Sequence, residues 1–230
     1  MPLIEISNIS KAFSSATTES EDLLVVNKFS LSIEEGELVT MFGPNGCGKT
    51  TVLNILAGTL KPDTGQVIRN INSPDSMHIG YVFQNHADTL LPWRSVRANI
   101  AFHLEIRGVP KREQEEKVNK WMDQFRLTEH ADKYIYQLSG GLKQLVAIAR
   151  ATVYDPRLLL LDEPFSALDY SLSRMLWMRF HELWAKLGVT TVFVSHNVDE
   201  AVFLGNNVCV LSSRPTQVIA EIKVPFGRDR

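Results

Sequence analysis

The chemistry of this chain is concentrated first in Gly43-Pro44-Asn45-Gly46-Cys47-Gly48-Lys49-Thr50-Thr51, a complete G-x-x-x-x-G-K-[ST] sequence. Glycines allow the backbone to curl until successive N–H groups point inward, and a helix beginning near Gly48 adds its positive dipole end. Such a loop takes an anion. Lys49 can reach β- and γ-phosphate oxygens, while the Thr50 hydroxyl suits a Mg²⁺ bridging them. The alternative, a glycine-rich turn that only joins strand to helix, is opposed by the full match and its setting: the apolar run Leu38 to Phe42 precedes it and Val52 to Ala57 can continue as a helix.

A second set of polar residues closes the apolar run Leu158-Leu159-Leu160-Leu161, which ends in Asp162-Glu163. Four leucines in succession predict a central parallel strand buried on both faces, and its C-terminal end is where open α/β sheets place ligands. Adjacent side chains alternate along a strand, so Asp162 can serve Mg²⁺ and Glu163 an attacking water. Thr190 to Ser195 predicts another core strand, ending at His196. That histidine is either structural or a hydrogen-bond donor to a γ-phosphate. Gln84, at the end of the predicted strand His78 to Gln84, is either a solvated edge residue or a metal ligand through its side-chain oxygen. Phe13 is either packed in the core or stacked on a base.

Ser139-Gly140-Gly141-Leu142 opens a further helix, with Ser139 as the expected N-cap and Leu142, Leu145, Val146 and Ala149 as its buried stripe. The glycines leave backbone N–H groups at the positive helix end, a second anion site. The simplest reason for two cradles in one chain is that the second closes over a nucleotide held by another copy.

These residues need elements to carry them. Leu3 to Ile6 and Phe29 to Ile33 read as short strands, the latter strictly alternating as a half-buried antiparallel strand does. Gln66 to Arg69 reads as another strand after the turn cluster Lys61 to Gly65, and Ser14 to Asp22 as an exposed, mobile loop. From about Asn85 to Asp155 the pattern turns helical: Val118, Trp121, Met122 and Phe125 form an apolar stripe, Lys111 to Lys117 a solvated face, and Gly108-Val109-Pro110 a break. Leu90-Leu91-Pro92-Trp93 either staples a helix start or anchors a partner protein. The expectation is one α/β domain over residues 1–230, with a helical subdomain at about 85–155 inserted in the core.

The 230 residues suffice for a sizeable core, and 24 basic against 26 acidic side chains give a net charge of −2, so no basic field argues for nucleic acid. No apolar run approaches a membrane span and Met1 to Ile6 lacks a leader pattern, which predicts a cytoplasmic chain with Cys47 and Cys209 reduced.

Taken together and in order, the motifs resemble the nucleotide-binding subunit of ABC transporters. The resemblance rests on the phosphate loop, Gln84, Leu138-Ser139-Gly140-Gly141, Asp162-Glu163, Ser166-Ala167-Leu168-Asp169 and His196, and spans nearly the whole chain. It implies an α/β P-loop cassette with a mainly parallel core sheet, an N-terminal antiparallel β subdomain and a helical subdomain. It also implies ATP and Mg²⁺ as ligands and two cassettes, expected to be a homodimer, sandwiching two ATP molecules. Ser139 to Leu142 would then act in trans, Glu163 would polarise water, and His196 would sense the γ-phosphate. Gln84 would contact Mg²⁺, and Phe13 would stack on adenine.

The region of Leu90 to Trp93 looks like the family surface that receives a membrane permease. With Ser195 to Ala201 and Ser212 to Pro215, it is similar to importers of nitrate, sulfonate, taurine and bicarbonate, which adds a solute-binding protein as an indirect partner and places the chain on the cytoplasmic face of the inner membrane. Leu142 stands where the family usually has Gln, and Leu145 where it often has Arg. The sequence ends at Arg230, and no further regulatory domain is expected. The rival classes are a soluble ABC-type ATPase, which would carry a coiled-coil insertion or two cassettes, and a P-loop kinase, which would lack the second glycine pair.

Overall fold

The computed structural model describes residues 2–14, 22–70, 78–85, 89–166 and 169–225. Two compact units share the chain: Met1–Met77 with Gly188–Arg230, and His78–Leu187. Most of the predicted polar loop Ser14 to Asp22, and Ala167 and Leu168 of the Ser-Ala-Leu-Asp loop, lie outside the described residues. In chain order the strands are β1 (Ile4–Phe13), β2 (Leu23–Ile33), β3 (Leu38–Phe42), β4 (Thr64–Arg69), β5 (Ile79–Val82), β6 (Leu158–Asp162), β7 (Thr190–Ser195), β8 (Asn207–Leu211) and β9 (Val218–Lys223). The helices are α1 (Lys49–Ala57), α2 (Val96–Ile106), α3 (Lys111–Gln124), α4 (Gly140–Thr152), α5 (Tyr170–Leu187) and α6 (Val198–Leu204).

In the first unit, β1 lies between β2 and β4 in an antiparallel sheet. The alternation of Phe29 to Ile33 is realised: Phe29, Leu31 and Ile33 are buried while Ser30 and Ser32 face outward. Both strands run well beyond the short segments their patterns predict, because the alternation is reset midway. Asn8 and Lys28 each take a left-handed backbone with φ of 49°, and their N–H groups go to the hydroxyls of Ser30 and Ser10 instead of the ladder. The start of β4 is as close: a Cβ at Gly65 would lie 2.3 Å from the Asn8 carbonyl oxygen, and its φ of 78° is glycine's.

The same unit holds β7-β3-β8-β9 in that order, parallel except for β9. Every residue of β7, and all of β3 but Phe42, is buried. Burial on both faces is what continuous apolar runs accommodate.

In the second unit β5 and β6 pair in parallel, Tyr81 opposite Leu160. The first of these strands is shorter than predicted: it ends at Val82, so Phe83 and Gln84 lie beyond it. Helix α4 packs on β5 closely enough that a Cβ on Gly80 would lie 2.4 Å from the Ala151 carbonyl oxygen. The α3 stripe Val118, Trp121, Met122 and Phe125 is buried, with the Trp121 and Phe125 rings stacked at 5.8 Å. Burial of that stripe against the α2 side, rather than intrinsic propensity, holds so charged a helix in place. Among the described residues no helix is long and apolar enough to cross a membrane. Cys47 and Cys209 are free thiols, both buried, and burial together with the Glu221 carboxylate pushes the Cys209 thiol up to about 12.

Near the end of α2, the Tyr154 hydroxyl donates to the Ile79 carbonyl at 2.6 Å, and the Arg107 guanidinium sits 5.0 Å above the Tyr154 ring. His103 lies 5.2 Å from that ring. Burial first, then the Arg150 and Arg107 charges, hold the His103 imidazole below its ordinary pKa; burial and Arg107 do the same to His78. A histidine depressed in the folded state takes up its proton more readily when unfolded, so stability is lost as pH falls below the unfolded value of about 6.5. His103→Gln should therefore flatten the fall in melting temperature between about pH 7.5 and 5.5. An unchanged slope in that variant would remove His103 from this role.

Candidate active site

The phosphate loop is closed by its own lysine. Lys49 is buried, and its ammonium donates to the carbonyls of Gly43 at 2.9 Å and Pro44 at 3.0 Å. Cys47 N–H returns to the Pro44 carbonyl, and Gly46 and Gly48 take φ of 71° and 124°. The loop then feeds α1, whose N-cap is Gly48 and whose first turn carries Thr50 and Thr51. Pro44, Asn45, Gly46 and Thr50 are exposed around it. The curled backbone, the ammonium and the helix N-terminus together fit a polyphosphate.

Strand register places His196 beside this loop. In the parallel pair β3–β7, Phe42 is opposite Ser195, so Gly43 and His196 are the first residues past neighbouring strand ends. His196 is exposed, and its backbone is fixed by a small network that sequence reasoning did not anticipate. The Ser195 hydroxyl bonds the buried Glu200 carboxylate and accepts from Asn197 N–H at 2.9 Å, while the Asn197 side chain caps α6 through Asp199 and Glu200 N–H. Phe13, the last residue of β1, is 41% exposed with the Lys11 ammonium 5.7 Å from its ring centre. The core-packing reading of Phe13 is thereby excluded.

In the second unit β5 and β6 again end together, Val82 opposite Leu161, so Gln84 and the pair Asp162-Glu163 follow the same edge. Asp162 and Glu163 are both buried. Burial, and after it the Asp162 charge, raise the Tyr81 hydroxyl pKa, which keeps it protonated beside that carboxylate. Glu163 departs from the simple alternation expected of a strand: β6 stops at Asp162, and Glu163 takes a left-handed φ of 45°. That conformation costs a non-glycine residue roughly 1–3 kcal/mol and persists where its surroundings impose it. Here Ser166 does so, its N–H and hydroxyl both donating to the Glu163 carbonyl, the latter at 3.0 Å. Ser166 thus acts as a clamp on Glu163.

Ser139, Gly140, Gly141 and Leu142 open α4 as expected, but two details differ. Ser139 occupies the N-cap position without its side chain accepting a capping bond, and Leu142 is half-buried where full burial was expected. Leu145, Val146 and Ala149 are buried. Since α4 meets β5 near Ala151, its signature end stands about 16 Å along the helix from that contact.

Leu90 to Trp93 divides between its two readings. Leu90 is buried, and the fully buried Asn99 ties the turn: its amide donates to the carbonyls of Leu91, Arg94 and Ser95 and accepts from Leu91 N–H. Trp93 is 71% exposed on that fixed turn.

A P-loop fold of this kind, with acids and a histidine following parallel strands, defines a nucleoside-triphosphate-hydrolysing class. Residues 26–166 match the ABC transporter domain, and the chain belongs to the ABC transporter family as an ATP-binding cassette that hydrolyses ATP. It is 39% identical to an uncharacterised ABC transporter ATP-binding protein of Methanocaldococcus jannaschii, over 99% of this chain and 84% of that one. It is 38% identical to the taurine import ATP-binding protein TauB of Roseobacter denitrificans, over 97% and 83%. The spermidine/putrescine import ATP-binding protein PotA of Chromobacterium violaceum is 42% identical over 92% of this chain but only 58% of its own length. Among solved structures, the dimeric post-hydrolysis state of the cassette MJ0796 bound to ADP and Pi is similar with a TM-score of 0.82 and 29% identity, over 97% of this chain and all of that one.

The two loop glycines make a differential prediction. A Cβ on Gly46 meets nothing within 4 Å, whereas one on Gly48 would lie 2.8 Å from Thr216 Oγ1 and 2.9 Å from Val25 Cγ1. Gly46→Ala should cost about 1 kcal/mol for its backbone alone. Gly48→Ala should cost about 3 kcal/mol, since steric displacement adds to the backbone cost. Denaturant unfolding of the pair checks this, and equal losses would contradict the packing at Gly48.

Proposed function

We propose that this chain is the ATP-hydrolysing subunit of an ABC importer that draws a small anion, of the sulfonate or taurine type, through separate membrane subunits. The observation that carries the reading is the strand-end arrangement: phosphate loop with His196 past β3 and β7, and Gln84 with Asp162-Glu163 past β5 and β6. The import reading is supported by the TauB and PotA relatives. The anion class is supported by TauB, whose length this chain nearly covers, in contrast to the longer PotA.

In this reading Gly43 to Thr51 hold the phosphates, and Lys49 turns its ammonium to their oxygens. Thr50, Asp162 and Gln84 would hold Mg²⁺, which neutralises phosphate charge when bound. These are three hard oxygen donors and too few for a cage of their own, as befits an ion held largely by phosphate and water. Among the described residues no group of three His, Cys, Asp or Glu side chains is gathered that could hold a metal. Glu163 accepts the proton of the water that attacks the γ-phosphorus, and ADP leaves. His196 donates to the γ-phosphate, and Phe13 stacks on adenine.

Ser139 to Leu142 would grip the nucleotide of a second copy, so that ATP closes a homodimer and hydrolysis opens it. Leu142 supplies no polar side-chain contact, which leaves that grip to backbone N–H groups and the Ser139 hydroxyl. The exposed Trp93 is the proposed anchor for the permease, with a solute-binding protein as an indirect partner. The subunit would lie on the cytoplasmic face of the inner membrane, without a nucleic-acid role.

Glu163→Gln should retain ATP binding and lose at least about 100-fold in phosphate release, the scale of a lost general base; near-normal turnover would refute the assignment. Trp93→Ala should leave ATPase activity of the isolated cassette intact but weaken co-purification with membrane subunits by about 30-fold, as for a buried tryptophan anchor. Unchanged co-purification would move the docking surface elsewhere.

A further inference from the structure

We propose that Thr216, in the turn between β8 and β9, is a positioning residue that aims the phosphate loop at its ligand. The inference rests on the ATPase reading above and concerns how that site is held. Thr216 is 0% exposed, although its side chain is polar and the turn on either side of it is open. Its hydroxyl donates to the carbonyl of Cys47, 169 positions away in the chain. Its backbone is equally engaged: the N–H donates to the Val25 carbonyl at 2.7 Å, and the carbonyl accepts from Asn27 N–H at 3.0 Å. The turn that presents it is tied internally, the Ser212 hydroxyl donating to the Pro215 carbonyl and accepting from Gln217 N–H, each at 2.9 Å.

The consequence follows from peptide geometry. Cys47 C=O and Gly48 N–H belong to one planar trans unit and point in opposite directions. A hydroxyl that pins the carbonyl to the β8–β9 side therefore turns the Gly48 N–H to the other side, at the start of α1, where the loop's donors gather. The left-handed φ of 124° at Gly48 needs such a restraint, since glycine itself favours no one setting. The next carbonyl along, that of Gly48, accepts from Val52 N–H at 3.1 Å, so α1 begins directly after the peptide that Thr216 holds.

Thr216 also joins two ends of the proposed nucleotide site. It bonds β2 at Val25 and Asn27, and β2 pairs at Leu23 with Phe13. One residue, by its side chain and backbone together, thus ties the phosphate loop to β2, the neighbour of the strand that ends at Phe13.

The test uses the full chain with ADP as the titrant in calorimetry, comparing wild type with Thr216→Val, Thr216→Ala and Thr216→Ser. Both variants without the hydroxyl should bind ADP about tenfold more weakly, the scale of one lost hydrogen bond, and Thr216→Ser should stay within about twofold of wild type. Adenosine, which lacks phosphates, should bind all four proteins with the same affinity in direct titration, a readout that general destabilisation would move. Thr216→Ala keeps the experiment decisive if Thr216→Val does not fold. ADP affinity within twofold of wild type in the folded variants, or a Thr216→Ser protein as weak as the alanine variant, would overturn the proposal. A wild-type chain that bound no ADP would instead overturn the ATPase reading.

Discussion

A buried ammonium that must be neutralised by carbonyls is the constraint on which the loop after β3 depends. Taking a lysine out of water without partners is far more costly than any backbone turn. Lys49 meets that demand by donating to Gly43 and Pro44, which draws residues 43–49 into a closed curl. The glycines at 46 and 48 are what let the chain follow, because both stand at left-handed φ. The charge that closes the loop is also the charge the proposed site presents to phosphate, so the geometry of folding and that of binding are one arrangement.

The apolar strands extend this logic. A strand buried on both faces admits a polar side chain only where its hydrogen bond is met inside, as when the Thr40 hydroxyl donates to the Ala201 carbonyl, so charged and reactive groups accumulate just past the strand. That is why Gly43 and His196 follow β3 and β7, and why Asp162-Glu163 and Gln84 follow β6 and β5. Parallel pairing matters here, because it brings strand ends of the same sense to the same edge. Glu163 goes one step further, leaving the strand in a left-handed conformation that Ser166 holds by its carbonyl. A residue locked in this way has its carboxylate direction set by the backbone and not by rotamer choice alone.

Local signals were enough wherever one element decides its own fate. The limits of β3, the α3 stripe, and the end of β7 before His196 can be read from apolar runs and their polar ends, whereas β6 stops at Asp162 because Glu163 turns left-handed. The lengths of β1 and β2 could not, since left-handed residues at Asn8 and Lys28 reset the alternation and the ladder donors turn to serine hydroxyls. Single polar side chains acting at a distance were likewise silent. Asn99 looks like one more polar residue in α2 until its four bonds to the preceding turn are seen, and Thr216 meets Cys47 only because β8 and β9 return beside β2. Ser139 shows the converse: its N-cap position was legible, but not that its hydroxyl leaves the cap bond unmade.

That last detail bears on why a second copy fits the proposed cycle. Helix α4 is buried along most of its length, yet Ser139 and Gly140 at its start are exposed, and the Ser139 side chain makes no capping bond. An uncapped helix end usually costs about 1 kcal/mol relative to a serine cap. Ser139 has the chemistry to recover that loss and does not use it. Its end of the helix is also the one remote from the contact with β5. A donor-rich tip turned outward, with a hydroxyl beside it, suits an acceptor that arrives from outside the protomer, and a triphosphate carried by a second cassette has the charge to take the place of the missing cap.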